Sequence, residues 1–242
     1  MNLSFSGVFA EARALWQRER ILLVAVAAVF LFLPCLSAQF FLPLPDLGKA
    51  DGREAMSEAI LAWFNVYGGW FMLELVVITY GAGALLVLLL DPARPTAGAS
   101  LIRALRLLPS LLIVWTCALL LISLGSTLLL VVAFYIAGRL LLAGPALVAG
   151  PGVGPIRALI DGVKLSHRRG WMLSAVAIVT FGAGQVAQLI PGMLIGALAA
   201  SGTAQPLLLA PLEILAAAAA AAGWLALVIV QAAAYRLARQ GM

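Results

Sequence analysis

The chain has 242 residues, of which 64% are hydrophobic and 10% charged, whereas ordinary soluble domains carry about 25% charged residues. Its mean hydropathy of +1.10 leaves too little polar surface to cover a water-soluble fold, and a bilayer, which solvates apolar side chains directly, becomes the expected medium. The formal net charge of +5 does not indicate nucleic-acid binding, because the cations sit in short segments between apolar runs, where membrane orientation requires them.

A helix needs about 20 apolar residues to cross the hydrocarbon core, and the sequence offers six such stretches. Residues 21–42 form the first, with a kink expected at Pro34. The preceding polar segment and the lack of an A-x-A site mark this run as a retained span rather than a signal peptide. In the outer loop that follows, Asp51-Gly52-Arg53-Glu54 has the form of a helix N-cap with a nearby carboxylate. It predicts an interfacial helix through Trp63, with Gly68-Gly69 permitting a bend into the second span, residues 66–90. Residues 107–149 hold one charge, Arg139, and as one helix would be about 65 Å long, twice the membrane. They must fold back, and division near Val131 gives spans over 107–130 and 131–149. Residues 171–190 form the fifth span, broken or ended at Pro191-Gly192. Residues 206–234 form the sixth, in which the alanines of 216–222 and Gly223 let neighbouring helices approach closely. The expected fold is an all-α, six-span bundle forming a single transmembrane domain over residues 1–242.

Charge placement supports this division independently. With the N-terminus in the cytoplasm, Arg13, Arg18, Arg20, Arg94, Arg103, Arg106, Arg157, Lys164, Arg168, Arg169, Arg236 and Arg239 all lie inside, twelve of the 15 Lys and Arg. Lys49 and Arg53 fall outside, in the loop that also carries Asp46, Asp51, Glu54 and Glu58. The positive-inside rule therefore places both termini in the cytoplasm. Arg13-Ala14-Leu15, Arg103-Ala104-Leu105 and Arg157-Ala158-Leu159 each open a short amphipathic stretch before a pair of spans. They read either as a threefold repeat of interfacial helix plus hairpin or simply as basic anchors.

Three charges lie inside spans: Glu74, Arg139 and Glu213. Charges in hydrocarbon are costly and normally face the protein interior with a partner. Counting from the span ends puts all three about 10–12 Å below the outer surface, at the level of Gln185, Gln188 and Gln39. This predicts an outer polar cluster of Arg139, Glu74, Glu213, Gln185 and Gln188, with Arg139 paired to Glu74 or Glu213. Three readings stay open for it: an ion pair that pins the bundle, residues one turn out of place that snorkel to the interface, and a ligand or transport site.

The signatures of intramembrane chemistry are missing from the sequence. His167 is the one histidine and lies in the basic loop Leu165-Ser166-His167-Arg168-Arg169-Gly170, expected to meet anionic headgroups. One histidine cannot supply a metalloprotease ligand set. Gly125-Ser126 has no histidine in another span to activate it, and Cys35 and Cys117 have no metal-ligand spacing. No Walker or dinucleotide motif occurs, and Gly81-Ala82-Gly83 and Gly182-Ala183-Gly184 are better explained by close helix packing. Gly192-Met193-Leu194-Ile195-Gly196 is a GxxxG expected to pack within the chain. No enzyme activity, cofactor or metal is expected. The expected partners are membrane lipids, with a membrane protein partner as a further option.

The run from Leu128 to Val148, containing Phe134-Tyr135-Ile136-Ala137-Gly138-Arg139 and the late Gly144-Pro145, leads into Gly154-Pro155-Ile156-Arg157-Ala158-Leu159 and Gly170-Trp171. It resembles the membrane domain of glycerophosphoryl diester phosphodiesterases and related stand-alone bacterial inner-membrane proteins. Val132-Ala133 stands where that family has a Pro-Gly turn. The resemblance implies a six-span, all-helical domain in the bacterial inner membrane. It does not imply diesterase activity, which belongs to a separate soluble barrel with paired histidines and metal-binding carboxylates. The functions left are binding or handling lipid-like molecules, scaffolding a membrane partner, or, alternatively, transport through the outer polar cluster.

Overall fold

A computed structural model describes residues 4–43, 52–93, 95–150, 152–167, 169–201 and 206–240. The described chain is helical throughout: α1 (Phe5–Ala27), a π-helical turn (Ala28–Phe32), α2 (Leu33–Phe41), α3 (Arg53–Leu90), α4 (Ala97–Leu128), α5 (Leu130–Leu140), α6 (Ala143–Ala149), α7 (Pro155–Leu165), α8 (Gly170–Ala200) and α9 (Pro206–Gln240). Six segments are long and apolar enough to cross a membrane. The protein is thus an all-α, multi-pass membrane bundle.

The bundle is assembled around α9, which packs against α8, α1, α2 and α3 and buries most of its length from Ala216 to Ala238. Its small residues have the effect expected of them. A Cβ on Gly184 would come within 2.8 Å of the Gly223 Cα, so α8 and α9 touch backbone to backbone. Gly81 and Gly83 serve the same purpose on α3, where added side chains would strike Phe30 and Leu111. The GxxxG of α8 does not follow suit. Gly192 and Gly196 have no neighbour within 4 Å of a built Cβ, so this stripe faces outward from the described chain.

Pro34 explains the π turn. Without an N–H it cannot bond the Phe30 carbonyl, and the ladder shifts one turn earlier, with the Leu33 N–H donating to the Ala28 carbonyl. Pro191 acts otherwise: α8 continues through it to Ala200, so the expected break in span five is absent.

Three further expectations are corrected. The expected interfacial helix through Trp63 is not separate from the second span: α3 runs through Gly68-Gly69 as one helix of 38 residues, about 57 Å long against a hydrocarbon core of about 30 Å. Its outer end carries a cluster of Trp63, Phe64, Tyr67 and Phe71, and the Trp63 indole donates to the Pro43 carbonyl, tying the exit of α2 to α3. Gly52 with φ +96° is the N-cap residue, while Asp51 lies outside the described residues. Secondly, the stretches opened by Arg13 and Arg103 run without interruption into α1 and α4, and the one opened by Arg157 is a separate helix, α7. Gly162 seats α7 against Ala143 and Ala158 is buried, while Ile156, Arg157, Ile160 and Lys164 face outward, an arrangement suited to a membrane surface. Thirdly, span four is two helices. The hairpin turns at Leu129, two residues from the expected Val131, and α5 stops at Leu140 before α6 begins.

Candidate functional site

The contact between the first and second spans has a definite register. Phe30 lies against Gly81 and edge-on to Tyr80, with ring centroids 5.2 Å apart. Farther out, Phe41 meets Trp70 at 6.0 Å. The two helices run antiparallel, so Ser37 falls opposite Glu74, between these two closures. There the helices part and leave a groove of about 290 Å³.

Two facing stripes line it. Trp70, Leu73, Glu74 and Val77 follow the i, i+3, i+4, i+7 spacing of one helical face, and Val29, Leu33, Pro34 and Ser37 form the opposite wall. Val29, Leu33 and Leu73 are 50–54% exposed, so the groove opens sideways toward lipid. Its polar groups are the Glu74 carboxylate and the Ser37 hydroxyl, which donates to the Pro34 carbonyl at 2.8 Å and keeps its lone pairs. Among the described residues, no cation lies within ion-pair distance of Glu74.

The structure does not bring the other expected members to this place. The Arg139 carbonyl accepts from the Ser166 hydroxyl at 3.1 Å, and its guanidinium lies over the Tyr135 ring, 5.9 Å from the centroid. A side chain on Gly170 would strike the Arg139 Cδ. Arg139 thus sits at the junction of α7 and α8 and pairs with neither Glu74 nor Glu213. Glu213 has no ion-pair partner among the described residues. It lies ten residues from the Gly223–Gly184 contact, about 15 Å along α9, whereas Gln185 and Gln188 stay within about 6 Å of that contact. Gln185 and Gln39 are exposed and Gln188 is half-buried. The expected outer cluster is therefore dispersed, and Glu74 is the member that lines a groove.

A polar network that sequence reasoning missed lies at the opposite end. Arg236 of α9 reaches Glu11 of α1 at 3.3 Å and the Leu89 carbonyl of α3 at 2.6 Å. Arg103 of α4 pairs with Asp91, the residue that ends α3, and donates to the Val148 carbonyl of α6 at 3.1 Å. Each guanidinium thus neutralises one carboxylate and satisfies one carbonyl in a last helical turn, a group that lacks an intrahelical partner. Between them, the two arginines join the inner ends of five helices. The contact between Glu11 and Arg236 also places both terminal helices at one end of the bundle, as an even number of spans requires. The available signal was that Glu11 and Asp91 are two of the four carboxylates, with Glu19 and Asp161, in the arginine-bearing segments expected inside.

A larger depression of about 590 Å³ runs along α7 beside Ile156, Arg157, Ile160 and Lys164, but Arg157 there is already matched by Asp161 at 4.0 Å. Comparison with known proteins adds no assignment: no family model, no curated protein and no solved structure matches this chain.

Proposed function

We propose that this chain is a non-catalytic, multi-pass protein of the bacterial inner membrane that binds lipid-like, amphipathic molecules in the groove between α2 and α3. The observation that carries this reading is a carboxylate held inside a membrane-spanning helix, beside a lipid-facing groove, with no cation from the described chain to meet it. Such a charge is costly in hydrocarbon and is retained where it meets something. The apolar walls suit an acyl or alkyl chain, and the polar spot at Glu74 and Ser37 suits a headgroup. The resemblance of residues 128–171 to the membrane domain of glycerophosphoryl diester phosphodiesterases supports the same class of ligand by analogy. Transport finds less support, because the interruption at Pro34 has no counterpart at Pro191.

The test is native mass spectrometry of the protein released from mild detergent, wild type beside Leu33→Trp, which fills the groove. A defined lipid or amphiphile retained by the wild type and lost from an equally folded variant is the expected result. Identical, ligand-free spectra would remove the binding site and leave scaffolding of a membrane partner as the reading to pursue.

A further inference from the structure

Resting on that reading, the structure assigns a chemical class to the ligand: we infer that the groove receives the ammonium head of an amphipathic amine, with Glu74 as counter-ion and Trp70 as aromatic wall. Three observations converge on a cation. The charged side chain lining the groove is a carboxylate, and no Lys or Arg is among the lining residues, so an anionic head would be repelled. Trp70 and Glu74 are four residues apart on α3 and therefore adjacent on one helical face. An indole beside a carboxylate is a combination that attracts ammonium groups, through the ring quadrupole on one side and charge-assisted hydrogen bonding or ion pairing on the other. The Ser37 oxygen opposite offers a third acceptor.

Shape agrees with charge. The groove, at about 290 Å³, is small and open along one side. That is room for a headgroup and the first part of a chain rather than for a whole lipid. Phe41 against Trp70 closes the outer end, and Phe30 against Gly81 closes the inner end. Entry is therefore lateral, from the bilayer, and the alkyl chain lies along Leu33, Leu73 and Val77 or leaves into lipid. The same ammonium chemistry occurs in a free long-chain amine and in a zwitterionic lipid such as phosphatidylethanolamine.

The experiment titrates the full chain, in dodecyl maltoside micelles, with dodecyltrimethylammonium, dodecylamine and neutral dodecanol, reading occupancy by native mass spectrometry. Both ammonium probes should bind the wild type about tenfold more tightly than dodecanol, and Glu74→Gln should erase that preference by weakening the ammonium probes. Glu74→Asp, which keeps the charge, should restore part of it, and Trp70→Leu should weaken the trimethylammonium probe several-fold. A parallel arm offers dioleoyl phosphatidylethanolamine and dioleoyl phosphatidylglycerol. Selective, Glu74-dependent retention of the former identifies a lipid source, and retention of the amines without it identifies a free amine. Equal affinity of the wild type for ammonium and alcohol probes would overturn the inference, as would an unchanged preference in Glu74→Gln. If Leu33→Trp abolishes binding of every probe while Glu74→Gln changes nothing, the groove stands and the amine falls. If Leu33→Trp changes nothing either, the groove itself is wrong.

Discussion

The first and third helices handle charge differently at their two ends. At the inner end, Glu11 of α1 meets Arg236, and the same guanidinium holds the Leu89 carbonyl of α3. Asp91, at the foot of α3, meets Arg103 in a parallel arrangement that also holds α6. Toward the outer end, Glu74 stands between α2 and α3 and meets no cation of the described chain. At the inner end Glu11 and Asp91 are each met by a guanidinium from another helix, so these charges fasten helices. At the groove the protein supplies a carboxylate, a hydroxyl and an indole, so the charge is left for a molecule from outside.

Substitutions that separate fastening from binding sharpen this contrast. The largest loss is expected from Arg236→Leu, which leaves Glu11 unpaired and the Leu89 carbonyl uncapped. Thermal unfolding in micelles should show a destabilisation of about 2–4 kcal/mol. Arg103→Leu should follow at about 1–3 kcal/mol, because its side chain is 40% exposed and its pair with Asp91 is better screened. Arg139→Leu should cost no more than about 1 kcal/mol, the worth of its cation–π contact with Tyr135. A loss as large as that of Arg236→Leu would mean that Arg139 has a carboxylate partner after all. Glu74→Gln should cost nothing and raise stability slightly, since it removes an unmet charge from lipid and orphans no partner in the described chain. A strongly destabilised Glu74→Gln would make Glu74 another fastener and remove the contrast.

Hydropathy and charge made much of the fold legible. They located six spans, put the hairpin turn within two residues of Leu129, and anticipated the close packing at Gly223. The failures share a cause: a hydropathy profile records which residues prefer lipid, but not where the backbone turns. Depth was counted along a straight span from Val131, whereas α5 ends at Leu140, and Arg139 lies beside Ser166 and Gly170. Gly68-Gly69 permits a helix boundary, but α3 runs through it as one helix. Pro34 and Pro191 look alike in sequence, yet only the first is accompanied by a π turn.

At the site itself, Glu74 stood out because a carboxylate within an apolar run is conspicuous anywhere. Its neighbours did not. Trp70, Leu73 and Val77 were readable as a stripe at helical spacing, but the facing wall depends on the register between two helices, which no periodicity encodes. The inner network was hidden for the same reason. Arg236 and Glu11 are 225 residues apart, and Arg103 and Arg236 look no different in sequence from the other cations between spans.

The contrast between the two ends can be read directly by labelling with dicyclohexylcarbodiimide, an apolar reagent that modifies the protonated form of carboxyl groups in lipid, a form that a cationic partner suppresses. Peptide mapping of the treated protein should find Glu74 modified, Glu11 unmodified, and Glu74 protected when dodecyltrimethylammonium is present. Equal modification of Glu74 and Glu11, or a Glu74 that the amphiphile does not protect, would contradict the account.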